Sequence, residues 1–262
     1  MIITVSLMTK SDSYATAPLH VFITAHPDDE VMFFVPTIVS LPNPKWILCL
    51  SNGNFDGLGK EREMELHRAS ELLGFDKIIC LDHPALQDGP TVVWSKYDVT
   101  RVLKQYLTMD RTIHLITFDE GGVSGHFNHQ CTHRGVQQFL YEQRRNRTQQ
   151  QIHGWKLETI TNPVMKYFPI VHWCWFIGTW LVSVTSQQPT PPRFVALRSL
   201  ETFVETTSYN PLLNWKCMAA HNTQFVWYRR LFVIFSIYTY FNRLERMGHT
   251  STSKWGKGLG WS

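Results

Sequence analysis

Leu19-His20-Val21-Phe22-Ile23-Thr24-Ala25-His26-Pro27-Asp28-Asp29-Glu30 is the stretch on which the reading of the fold turns. Its first half, Leu19 to Ala25, is a short apolar run rich in β-branched and aromatic residues, the pattern of a strand buried on both faces. Its second half stops that run with an imidazole, a proline and three consecutive carboxylates. In α/β sheets ligands gather outside the carboxyl ends of the strands, so a strand that runs into a polar turn is a place to look for chemistry.

The chain on either side repeats the pattern. Trp46 to Leu50 reads as a second strand and runs into the turn cluster Ser51-Asn52-Gly53-Asn54. Glu61 to Leu73 reads as a helix, with Leu66, Ala69 and Leu73 at helical spacing and Gly74 at its stop. Ile78 to Leu81 is a short third strand, and Tyr97 to Leu107 a second helix with Val99, Val102, Leu103 and Tyr106 on one side. Ile113 to Phe118 is a fourth strand, followed by a glycine-rich loop over 119–128 and a helix from about His129 to Arg145. This alternation predicts one α/β domain built on a Rossmann-like, mainly parallel sheet with helices on both faces. Polar clusters follow the first, second and fourth strands. No GxGxxG follows the first strand, so a dinucleotide-binding enzyme is poorly supported.

Composition narrows the field. The 262 residues are 44% hydrophobic and 18% charged, which excludes a disordered or collagen-like chain. A net charge of +4 permits contact with phosphate or an anionic membrane surface but is too small to argue for nucleic acid, and no RNA- or DNA-binding motif is present. The five cysteines are scattered and form no CxxC pair, which argues against a disulfide framework and a thiolate zinc site and suits a reducing compartment. The apolar start Met1 to Val5 is too short for a signal-peptide core or a membrane span.

Beyond about residue 150 the character changes. Tyr167 to Val184 carries no formally charged side chain. It reads as a buried connection leading into a strand, Leu181 to Thr185, as an interfacial or re-entrant segment, or as a span. Pro189 to Pro192 marks a loop and Pro211 to Asn222 a helix. Phe225 to Phe241 is aromatic-rich and interrupted by Arg229-Arg230. Aromatic and arginine side chains suit a bilayer headgroup layer, and equally a helix or strand packed on the sheet. The expected division is an N-terminal extension over 1–18, the folded domain over 19–247, with a membrane-contacting candidate region over 164–245, and a disordered tail over 248–262.

Two clusters carry chemistry. The run His26-Pro27-Asp28-Asp29-Glu30 crowds like charges that a divalent cation would relieve, and imidazole and carboxylate are good zinc ligands. The same run can also be read as a solvated acidic turn in which Asp28 caps a helix. Gly125-His126-Phe127-Asn128-His129 follows the fourth strand. Its two histidines lie three apart and can approach one point, or can simply be surface residues of a loop.

Taken together the clusters resemble the PIG-L type de-N-acetylases, which include LmbE-like amidases. The family pattern is an Ala-His-Pro-Asp-Asp-Glu loop, here Ala25 to Glu30, and a later His-x-x-His, here His126 to His129. The resemblance extends to Arg62 and Glu65 on the first long helix and to Ala219, His221 and Gln224 near the end. Asn128 stands where many bacterial members have Asp, which favours the eukaryotic, lipid-linked branch. The resemblance implies His26, Asp29 and His129 as ligands of Zn2+, with another divalent ion such as Fe2+ as the alternative. It implies Asp28 as general base, His126 as the group that steadies the oxyanion and passes a proton, and Arg62 and His221 as substrate-binding. It leaves Glu30 without an assigned role. The implied reaction is removal of the acetyl group from N-acetylglucosaminyl-phosphatidylinositol, the second step of glycosylphosphatidylinositol-anchor biosynthesis, on the cytoplasmic face of the endoplasmic reticulum membrane. Two other readings stay open: a soluble acetamido-sugar conjugate as substrate, and a non-catalytic subunit that kept the fold.

Overall fold

The computed structural model describes residues 17–107, 109–146, 151–170, 173–174, 177–178, 195–199 as backbone, 202–208 and 210–248. Strand β1, Leu19–Thr24, is buried at every position, as an apolar run without polar alternation requires in a sheet covered on both faces. After it come α1 (Asp29–Phe33), α2 (Val35–Ser40) and β2 (Lys45–Cys49). Next are α3 (Gly59–Leu73), β3 (Lys77–Cys80), α4 (Lys96–Tyr106), β4 (Ile113–Phe118) and α5 (Phe127–Arg145). The second half contributes β5 (Ile152–Leu157), α6 (Pro163–Tyr167), β6 (Val195–Ser199), β7 (Phe203–Ser208), α7 (Pro211–Ala220), α8 (Trp227–Phe235) and β8 (Phe241–Arg246).

These strands form one eight-stranded sheet in the order β3-β2-β1-β4-β5-β8-β7-β6. The first five strands in that order are parallel, with Val21 level with both Trp46 of β2 and Leu115 of β4. The last three run antiparallel to their neighbours. The expected single α/β domain with a mainly parallel sheet is therefore what the chain forms, and the antiparallel edge is an addition to it. That edge belongs to the same body. Asn242 of β8 accepts from the Thr37 hydroxyl at 2.8 Å and donates to the Phe33 carbonyl at 2.8 Å, and Leu244 lies in the core with Phe22, Phe34 and Phe118.

Local signals explain the element ends. Ser95 caps α4 by accepting from the Tyr97 N–H, and Gly74 closes α3 in the left-handed conformation, φ 74°. Strand order then does what local signals cannot. The chain leaves β1 for β2 and β3 on one side and returns to β4 on the other, so β1 and β4 are neighbours and the loops at their carboxyl ends meet, where α/β folds place their ligands. The predicted strand Leu181 to Thr185, the Pro189–Pro192 loop and the tail beyond 248 lie outside the described residues. Among the described residues, no helix is long and apolar enough to cross a membrane.

Candidate active site

The β1 loop is held from within. Asp29, at the start of α1, turns back and accepts from the Ala25 and His26 N–H groups through Oδ2 at 2.9 and 2.8 Å. Its other oxygen, Oδ1, lies 3.1 Å from His129 Nε2. Glu30 is fully buried and accepts the Asp28 N–H at 3.1 Å, while its Oε1 meets His221 Nε2 at 2.6 Å. These contacts fix Asp28 at φ 109°, ψ −22°, a conformation that costs a non-glycine residue roughly 1–3 kcal/mol and is typical of functional sites.

The β4 loop is held by Asp119, whose Oδ1 accepts from the Gly121 and Gly122 N–H groups at 3.0 Å each. It delivers His126 and His129 to the start of α5. His129 stacks on Phe118, ring centres 4.1 Å apart, and its Nδ1 lies 2.9 Å from the Gly122 carbonyl. A carbonyl only accepts, so Nδ1 carries a proton, and Nε2 faces the Asp29 carboxylate: it donates there when the ring is protonated and offers a lone pair to a metal when the ring is neutral. His126 differs. Its Nδ1 accepts from the Asn128 N–H as the α5 cap, which leaves the proton of the neutral ring on Nε2.

His26 completes the group. Its Nε2 has Asp88 Oδ1 and the terminal amide of Asn128 at 3.0 Å each, and its Nδ1 lies 4.0 Å from Asp29 Oδ2. With Nε2–H donating to the Asp88 carboxylate, Nδ1 of the neutral ring is left facing Asp29. Ligand atoms of His26, His126 and His129 all lie within 4.8 Å of one another. Two imidazoles flank one carboxylate, a set held together by a positive charge, either a proton on His129 or a divalent ion, and its donor chemistry fits such an ion. The tautomer of His126 sets that residue apart as a hydrogen-bond donor into the same space.

The electrostatics agree with the geometry. Burial opposes charge on His129, but Asp29 outweighs it and raises the imidazole above its ordinary value. Burial also opposes charge on Asp29, and His129 and His26 overcome it, holding the carboxyl well below the usual range. His126 is pushed down, first by burial and then by the two neighbouring imidazoles. His221 is raised, because Glu30 more than offsets its burial.

Helix α3 supplies the two side chains that bind the loops together. Arg62 donates to the carbonyls of Pro27 and Gly53 at 2.9 Å each and pairs with Asp88 at 3.4 Å. Gly53, at φ 71°, sits so close to the Arg62 guanidinium that a Cβ there would overlap it at 2.2 Å. Glu65, one turn on, accepts the N–H and hydroxyl of Thr223 at 2.7 and 2.6 Å and so anchors the segment after α7.

The structure thus brings His26, Asp28, Asp29, His126 and His129 to one place. The two residues expected to bind substrate are placed differently. His221 has no exposed surface and supports Glu30 from behind the loop, and Arg62 is buried with its terminal nitrogens on Pro27, Gly53 and Asp88. His221 is fully enclosed, and Arg62 keeps only 7% of its surface exposed. Three members of the site were missed in the sequence. Asp88 comes from the loop after β3, whose strand is short and whose residues 82–88 form no recognisable motif. Trp94, from the same loop, sets its ring centre 6.1 Å from that of His26. Arg229 reaches from α8 to within 3.0 Å of Asp28 Oδ2.

Residues 21–140 match the family model described as PIG-L: GlcNAc-PI de-N-acetylase. A probable N-acetylglucosaminyl-phosphatidylinositol de-N-acetylase of Dictyostelium discoideum is 31% identical over 250 residues, covering 85% of this chain and 91% of its own length. The N-acetylglucosaminyl-phosphatidylinositol de-N-acetylase of Bos taurus is 30% identical over 230 residues, 85% and 81% of the two chains. Among solved structures, the N,N'-diacetylchitobiose deacetylase of Pyrococcus horikoshii superposes with a TM-score of 0.54 at 16% identity, over 91% of this chain and 88% of that one, a likeness of fold.

Proposed function

Since this chain belongs to the PIG-L family of GlcNAc-PI de-N-acetylases, we propose that it removes the acetyl group from N-acetylglucosaminyl-phosphatidylinositol, the second step of glycosylphosphatidylinositol-anchor synthesis. It is an amide hydrolase, and the observation that carries the reading is the pair of imidazole nitrogens, His26 Nδ1 and His129 Nε2, flanking the Asp29 carboxylate with Asp28 beside it. His26, Asp29 and His129 would hold a divalent ion, zinc in this reading and Fe2+ as the alternative. Such an ion supplies an acidified water and a Lewis acid for the amide carbonyl.

The protein's own groups do the rest. Asp28 takes the proton of the attacking water. His126, with its proton on Nε2, donates to the oxygen of the amide carbonyl as negative charge develops there. The amine leaves after receiving a proton from Asp28 or His126. Arg62, His221 and Glu30 act as positioning residues that keep the loop of Asp28 in its strained form.

The reading also puts the protein on the cytoplasmic face of the endoplasmic reticulum membrane. What supports a bilayer contact is an apolar face around α8 and α6. Trp227 is 72% exposed and Phe168 56%, with Tyr228, Leu231 and Ile170 exposed nearby, and Tyr167 of α6 packs on Phe232 of α8.

The test is metal content measured alongside deacetylation of the inositol-phospholipid glycan in a lipid dispersion. Chelation is expected to abolish turnover and zinc to restore it. Full activity in a rigorously metal-free preparation would overturn the mechanism. Faster turnover of a soluble acetamido-sugar conjugate than of the lipid would replace the substrate assignment.

A further inference from the structure

Asp28 has company that the proposed reaction does not use. Arg229 Nη2 lies 3.0 Å from Asp28 Oδ2, and Arg62 Nη2 lies 3.9 Å from the same oxygen. The two guanidiniums are not equivalent. Arg62 is buried, and Pro27, Gly53 and Asp88 engage its terminal nitrogens. Arg229 keeps about a fifth of its side chain exposed, at 19%, and is steadied by donating to the carbonyl and side-chain oxygens of Gln224. Among the described residues it is the more exposed of the two guanidiniums beside Asp28. It also rides on α8, two residues after Trp227 and two before Leu231, whose side chains point out of the protein.

The site beside it is acidic, with Asp28, Asp29 and Asp88 in it. An anionic substrate entering such a site needs a cation to meet it. A guanidinium binds phosphate by the same paired hydrogen bonds with which it binds carboxylate, so one can take the place of the other. The arrangement also orders the site: the apolar face of α8 outermost, then Arg229, then Asp28 and the histidines. A glycolipid laid along that line would set its acyl chains at α8, its phosphate at Arg229 and its acetamide at His126.

We propose that Arg229 is the phosphate-recognising residue of this site: it rests on Asp28 in the free protein and moves to the phosphodiester of the substrate, which uncovers the Asp28 carboxylate. The site would therefore prefer a phosphorylated acetamido-sugar conjugate to its neutral counterpart. This rests on the proposed deacetylation only for the identity of the conjugate. The binding of an inositol phosphate by Arg229 stands or falls without it.

The experiment uses the full chain loaded with zinc. Two soluble substrates are compared, N-acetylglucosaminyl-inositol and the same molecule carrying a phosphate on the inositol, and binding of inositol 1-phosphate is measured by calorimetry. Wild-type protein is expected to favour the phosphorylated substrate in kcat/KM. Arg229→Gln should lower that ratio by about 10- to 100-fold, the size expected of a charged, paired hydrogen bond, and weaken inositol 1-phosphate by a similar factor. Arg229→Lys, which keeps the charge and tests against misfolding, should recover part of both. Equal losses on the two substrates, or unchanged binding of inositol 1-phosphate in Arg229→Gln, would show that Arg229 merely holds Asp28 and would overturn the proposal. Arg229-dependent binding in a protein that deacetylates neither substrate would uphold it while removing the proposed function.

Discussion

At Asp28 the backbone holds φ 109°, a conformation that survives only because its neighbours enforce it. The enforcing groups are named: Glu30 on its N–H, Arg62 on the Pro27 carbonyl before it, and His221 behind Glu30. Asp28→Asn keeps the size of the side chain and tolerates this region well, so the loop and the metal content should survive. Turnover should fall by about 10²–10⁴-fold, the usual contribution of a positioned proton acceptor. Metal analysis beside a rate measurement checks both halves, and parent-level turnover would remove Asp28 from its role. Glu30→Ala leaves His221 buried without its partner, and breaking a buried pair in this way costs roughly 3–5 kcal/mol. Urea unfolding of that variant should show a loss of this size. The two carboxylates, adjacent but one in sequence, thus serve different ends, one in the reaction and one in the frame.

Two elements carry predictions of their own. Where α4 crosses α5, Gly135 lies so near Val99 that a Cβ would overlap its side chain at 2.2 Å. Gly135→Ala must push the helices apart and should destabilise the fold by roughly 1–3 kcal/mol, read as a lowered urea midpoint. Helix α8 leaves Trp227, Tyr228 and Leu231 exposed while Val233 enters the core. The double change Trp227→Glu with Leu231→Glu should weaken binding to anionic phospholipid vesicles by about tenfold or more, with a much smaller effect on a soluble substrate. A cosedimentation assay on wild-type protein that shows no vesicle binding at all would remove the bilayer from the account. Among elements, β1 to β4, α3 and α4 were legible because each is a run of clear period bounded by a turn, whereas the short α1 and α2 were not. The strands β5, β7 and β8 were not. Ile152–Leu157 contains His153, Gly154 and Lys156, and Phe241–Arg246 mixes apolar with charged residues, so neither shows the apolar run of a central strand. They are strands because β4 offers an edge to the first and the first offers an edge to the next.

At the scale of the whole sheet, His20, His114 and His153 stand level on the neighbouring strands β1, β4 and β5, with ring centres 5.3 and 5.4 Å apart. Burial lowers His20 to about 4, and burial with the flanking His20, His153 and Arg246 lowers His114 to about 4. The unfolded chain, with ordinary histidines near 6.5, takes up protons first as pH falls. Stability from these residues is therefore complete above about 6.5, declines between about 6.5 and 4, and levels off below. The loss attributable to His20 alone is on the order of 3 kcal/mol. Urea midpoints at a series of pH values should show this slope, and His114→Gln should flatten it. A slope unchanged by that substitution would assign the acid sensitivity elsewhere.

The sequence by itself determined the parts whose logic is local: the buried strand ending at Ala25, the acidic turn on its end, the paired histidines opening α5, and the α/β alternation around them. Each is written within a dozen residues, where spacing and side-chain chemistry suffice. The sequence also placed the β4 loop beside the β1 loop, but only the tertiary structure decided the packing that sets His26 and His129 about one carboxylate. It also decided that Asp88 and Arg229 close on the same point, and that His221 turns inward to Glu30 and not outward. Strand order and helix packing are set by burying apolar faces across long chain separations, and no local spacing records which faces will meet.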